Sequence, residues 1–192
     1  MSEYPTLEEF LEAIEESKMS VPVPLPLQMV ADHLDITRAG VDKMLMDERL
    51  RSVTLAGTRF VEAQSLIQKQ AKEAQDISKV RTLLEEKARA GMRHVFYEPL
   101  MTAIHRSPKV PADRSYIVRV LGAISADTYK EYGLFLTVLV HRKTAGTTKP
   151  GPGFQGLFDM VGRPWKSKTE QDFIESETDR VLAHYSRKRP RN

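Results

Sequence analysis

The run Val21-Pro22-Val23-Pro24-Leu25-Pro26 constrains this chain more than any other feature. Proline at alternate positions fixes φ, removes backbone donors and pushes each preceding residue out of the helical region. No helix passes through such a stretch, and residues 21–26 read as a stiff, extended connector. Ahead of it, residues 1–20 carry Glu3, Glu8, Glu9, Glu12, Glu15 and Glu16 against Lys18. Thr6-Leu7-Glu8-Glu9 has the form of a capping box, with Thr6 capping the backbone and Glu9 reaching back. Leu7, Phe10, Leu11 and Ile14 follow at helical spacing, which predicts an acidic amphipathic helix to about Ser17. Its carboxylates form a solvated face or a docking face for a partner.

Behind the prolines, Leu27 to Met46 reads as two short helices meeting at a corner. Helices that cross steeply need a small residue at the contact, and Ala31 supplies it. Val30, Leu34, Ile36, Val41 and Met44 fall at the steps that lock the corner. Asp35 stands where a tight turn asks for a left-handed residue, a conformation Asp tolerates better than most. Thr37 then caps the second helix. Leu50 to Leu55 reads as a strand, Ala56-Gly57 as a turn, Thr58 to Val61 as the returning strand, and a helix starts near Glu62.

These residues resemble the excisionase and MerR-type family of winged helix-turn-helix domains, over roughly residues 25–70. The resemblance implies that the second helix enters the major groove of double-stranded DNA. Its outward residues are then Thr37, Arg38, Ala39, Asp42 and Lys43. Arg38 is the candidate for reading a guanine edge, and Thr37 or Lys43 for touching a phosphate or base. Arg59, on the wing, approaches the backbone or minor groove. Asp42 departs from the pattern, because an acid here repels phosphate unless it meets cytosine or pairs with Arg38 or Lys43. Between Val21 and Gln68 six acids face five bases, so this unit is about neutral. Phosphate neutralisation supplies much of the affinity of DNA-binding proteins. A homodimer or a second basic element is therefore expected.

The rest of the chain reads as a linking helix over residues 71–91, a small α+β domain over 92–186 and a basic tail over 187–192. In the linking helix Ile77, Val80, Leu83 and Leu84 step along one side, and Gly91 ends it. Asp113 is placed to cap a helix carrying Ile117, Val118, Val120, Leu121 and Ile124, and Gly133 closes that region. Leu134 to Val140 is apolar and β-branched and reads as a buried strand. Thr144 to Gly153 reads as a loop, and Thr169 to Tyr185 as a final helix. This part loosely resembles a domain common in uncharacterised bacterial proteins: a helix, an acid before a glycine, an apolar strand ending in Lys, and a Pro-Gly-x-Gly-Phe loop. No activity comes with that resemblance.

Glu131, His141, Lys143 and Asp159 would form a catalytic group if the strand lay between them. A restriction-type nuclease needs Glu-x-Lys on the second strand, however, and here His141 stands where the glutamate belongs. The five histidines show no ligand spacing, so no metal is expected. Neither a P-loop nor a dinucleotide fingerprint surrounds Gly151 and Gly153, so no cofactor is expected. With no cysteine in the chain, disulfides, zinc fingers and thiol nucleophiles are excluded. The first residues, Met1 to Pro5, lack an apolar run, and Leu134 to Val140 is too short to cross a bilayer. The expectation is a cytoplasmic, mostly helical α+β protein without a membrane partner. Its expected role is sequence-specific DNA binding, as a homodimeric transcriptional regulator of bacterial or phage-like type. The alternatives are a nuclease-like enzyme delivered by the first unit and a protein-interaction module.

Overall fold

Thr6 opens the first helix through the reciprocal bonds its sequence context favours. In a computed structural model describing residues 6–17, 22–144, 147–150 and 170–186, the Thr6 amide donates to Glu9 Oε2 at 2.7 Å and the Glu9 amide donates to Thr6 Oγ1 at 3.3 Å. Helix α1 (Leu7–Ser17) follows. Its Leu11 and Ile14 are buried in the same core as Val30, Ala31, Val41, Val61 and Leu66. The acidic helix is thus part of the first compact unit, Met1–Ala74, and the second unit is Gln75–Asn192.

The proline run is not a connector throughout. Pro24–Leu25 form β1, which pairs antiparallel with β3 (Thr58–Glu62), and Leu25 is buried. Strand β2 (Ser52–Leu55) pairs with the other side of β3, giving the order β1-β3-β2. A proline is tolerated in β1 because the strand lies at a sheet edge. Ala56 and Gly57 both have positive φ, 48° and 73°. They form the two-residue turn whose twist suits a hairpin.

Helices α2 (Leu27–His33) and α3 (Arg38–Met46) lie where the spacing places them. Ala31, Val30 and Val41 are fully buried, and Asp35 takes the left-handed conformation at φ 50°. Ile36 departs from expectation, being 38% exposed rather than locked into the corner. Helix α4 (Ala63–Arg89) is one continuous helix of 27 residues where the sequence suggests two pieces, and the boundary between the units falls inside it.

In the second unit, β4 (Val95–Phe96) leads into α5 (Tyr97–Ala103) and then α6 (Pro111–Tyr132). A 3-10 helix (Leu136–Leu139), β5 (Val140–Thr144), β6 (Thr147–Pro150) and α7 (Glu170–Ser186) complete the described elements. Strand β5 pairs parallel with β4 and antiparallel with β6. The core joins Val80, Leu84 and Ala88 to Leu100, Ile117, Ile124, Leu136 and Val181. The chain as a whole is α+β and mostly helical, and no helix among the described residues is long and apolar enough to cross a membrane.

Three local elements differ from what the sequence suggests. Leu134 to Val140 is buried as expected, but most of it is a 3-10 helix and the strand begins only at Val140. A run of uninterrupted apolar residues has no alternation, so burial alone does not select a strand. Side chains satisfy the donors that a strand ladder would have used. The Phe135 amide donates to Glu177 at 2.7 Å and the Leu136 amide donates to Thr128 Oγ1 at 3.3 Å. The expected loop from Thr144 holds strand β6, which returns against β5, while residues 151–153 lie outside the described residues. Asp113 does not cap α6. Its carboxylate accepts the Ser107 amide at 3.0 Å and an Arg106 N–H at 2.8 Å, folding the preceding loop back, and Pro111 starts the helix.

Candidate functional site

Val41 and Met44 face the core from α3, so helical geometry turns Arg38, Ala39, Asp42 and Lys43 to the other side. Arg38, Ala39 and Lys43 are exposed and Asp42 is half-buried. Thr37 Oγ1 accepts the Gly40 amide at 3.1 Å, which satisfies one orphan donor of the first turn. The hydroxyl hydrogen remains able to donate outward. Arg38 and Lys43 have no carboxylate partner among the described residues.

Asp42 pairs with neither of them. Its carboxylate accepts an N–H of Arg59 from β3, in a partly exposed ion pair. The pair ties the hairpin to α3 and neutralises the one acid on the helix face. On the hairpin's other end, Arg51 pairs with Glu62 at 2.8 Å. The charge of the whole unit is nonetheless unfavourable for a polyanion: residues 1–74 carry 13 acids and 8 bases, whereas residues 75–192 carry 13 acids and 21 bases.

Three of the six bases of α4 stand in ion pairs with its neighbouring carboxylates. Lys69 pairs with Glu73, Arg81 with Glu85 and Glu131, and Arg89 with Glu85, at 2.6–3.2 Å. The hydrogen bond Arg81 donates to Glu131, at 2.6 Å, holds its guanidinium above its usual range.

The catalytic candidates have separate partners. Glu131 is exposed and bound to Arg81, while His141 is buried on β5 with its ring 4.4 Å from that of His94. Lys143 contributes its backbone to β5, and its side chain and Asp159 lie outside the described residues. Among the described residues no three His, Asp or Glu side chains are placed to hold a metal ion.

Sequence reasoning missed a cluster at the start of α6. The guanidinium carbons of Arg106 and Arg119 lie 4.5 and 5.2 Å from the Tyr116 ring centroid. The Tyr116 hydroxyl donates to the buried Asp76 at 2.9 Å. The Tyr116–Arg119 spacing on a helix signals half of it; the Arg106 contact depends on the loop folding back. Buried Glu177, which accepts from Phe135 and from Arg180, was missed as well. Compared with known proteins, the chain finds no counterpart: no family model, no curated protein and no solved structure matches it.

Proposed function

We propose that the first unit is a winged helix-turn-helix that binds double-stranded DNA sequence-specifically, with α3 in the major groove and the β2–β3 hairpin as the wing. The observation that carries this reading is the outward face of α3, where Arg38 and Lys43 stand exposed without a carboxylate partner among the described residues. Arg38 reads a base edge, Lys43 and the Thr37 hydroxyl meet base or phosphate, and the wing carries Arg59, held against α3 by Asp42, toward the backbone. With only two unpaired cations on the face, one copy binds weakly. A homodimer doubles the contacts and spaces two recognition helices on a repeated site. The role is that of a cytoplasmic transcriptional regulator.

The test is selection of bound sequences from random duplexes at a stated salt concentration, using the full chain and an Arg38→Ala, Lys43→Ala double variant. Each well-placed base contact is worth about 1–3 kcal/mol, so the variant should lose the preferred sequence while its melting temperature stays within about 2 °C. An unchanged preferred sequence removes α3 as the reader.

A further inference from the structure

We infer that the second unit carries its own phosphate-contacting surface, formed by the α5–α6 loop and the first turns of α6, which grips the DNA backbone independently of sequence. The inference rests on the DNA-binding reading of the first unit and supplies what that unit lacks. A unit with 13 acids and 8 bases is repelled by a duplex as a whole, so cations elsewhere must neutralise phosphates. In α4, Lys69, Arg81 and Arg89 are engaged with Glu73, Glu85 and Glu131. Between Arg106 and Arg119, by contrast, the chain holds Arg106, Lys109, Arg114 and Arg119 against the single acid Asp113.

The loop is fixed before any partner arrives. Asp113 clasps the Ser107 amide at 3.0 Å and Arg106 at 2.8 Å, and the Lys109 amide donates to Ser107 Oγ at 3.3 Å. Tyr116, anchored on Asp76, is flanked by the guanidiniums of Arg106 and Arg119. Arg114 donates one N–H to the Pro108 carbonyl at 3.0 Å, which leaves the rest of its donor fork for a ligand. Lys109 and Arg114 are exposed and have no carboxylate partner among the described residues. A guanidinium held in place loses little freedom on meeting a phosphate, and its planar fork matches two phosphate oxygens. Val110, Arg114 and Val118 succeed one another at four-residue spacing, with both valines more than 40% exposed. One stripe thus sets the exposed Arg114 between two exposed valines, and the cation is the group that meets a phosphate.

The experiment measures Kd against salt concentration for the full chain on two duplexes, one selected and one unrelated, with Lys109→Ala plus Arg114→Ala and with Lys130→Ala. Each phosphate contact contributes roughly 0.9 to the slope of log K against log salt. The double variant should lower that slope by about 2 on both duplexes, leave the preference between them unchanged, and melt at the wild-type temperature. Lys130→Ala removes a charge about 24 Å further along α6 and should leave the slope unchanged, and Arg114→Lys should retain most of it. An unchanged slope in the double variant overturns the inference and leaves α3 as the reader. A reduced slope together with indifference to Arg38→Ala and Lys43→Ala keeps this surface and removes α3. Failure of the wild type to bind any duplex at low salt overturns both. Salt-sensitive self-association that the double variant abolishes, with its DNA slope intact, gives the surface to a second copy and overturns the inference.

Discussion

The corner between α2 and α3 and the segment from Gly133 to Val140 satisfy their backbones in opposite ways. At the corner every device is local: the Thr37 hydroxyl caps the Gly40 amide three residues on, Asp35 absorbs the left-handed turn, and the Ile36 amide donates to the Ala31 carbonyl at 3.0 Å. In the second unit the buried segment depends on distant side chains. Glu177, 42 residues away, accepts the Phe135 amide, Thr128 accepts the Leu136 amide, and Ser125 bonds Thr137. Arg180 completes the clamp by bonding both Glu177 and the Gly133 carbonyl. A local device can be lost without exposing anything already buried. A long-range one leaves a polar group stranded in the core, which costs more. The two units therefore differ in how sharply they should respond to loss of one hydrogen-bonding side chain.

The strongest test of that contrast is Glu177→Ala. It strands the Phe135 amide and should destabilise the second unit by about 1–3 kcal/mol, read as a lower urea midpoint and faster amide exchange at Phe135. A loss below about 0.5 kcal/mol would break the contrast. Glu177→Gln, which keeps an acceptor, should lose less. Next comes Thr37→Ala, which removes the α3 cap and should cost about 1 kcal/mol, with Thr37→Ser recovering most of it in the same assay. The smallest effect on stability belongs to Asp42→Ala. A partly exposed ion pair contributes about 0–1 kcal/mol, so the urea midpoint should hardly move. The same substitution removes the acid on the outward face of α3 and frees Arg59, so affinity for any duplex should rise at low salt, measurable by anisotropy titration.

The same contrast explains what the sequence reveals. The α1 capping box, the Asp35 turn, the Thr37 cap and the Ala56-Gly57 turn are each written in a few adjacent residues, and they lie where those residues put them. Strand β1 is not legible, because Pro24–Leu25 become a strand only through β3, far downstream. Leu134 to Val140 shows its burial but not its conformation, since Glu177 and Thr128 decide the latter. Exposure of Arg38 and Lys43 follows from helical spacing. The Asp42–Arg59 pair does not, because it requires the register of the hairpin against α3. The Arg106–Tyr116–Arg119 cluster was hidden for a similar reason: the Asp113 carboxylate draws the loop back instead of capping its own helix.

Strand β1 also decides which border of its sheet is open to another chain. The Val23 carbonyl accepts the Ala63 amide, and Leu25 lies opposite Val61, so residues 23 and 25 point toward β3. Alternation then turns Pro24 outward, and prolines flank it at 22 and 26. Prolines 22, 24 and 26 offer no N–H along that border, so an incoming polypeptide finds no donor there to pair with, and protection against edge-to-edge aggregation is built into the backbone itself.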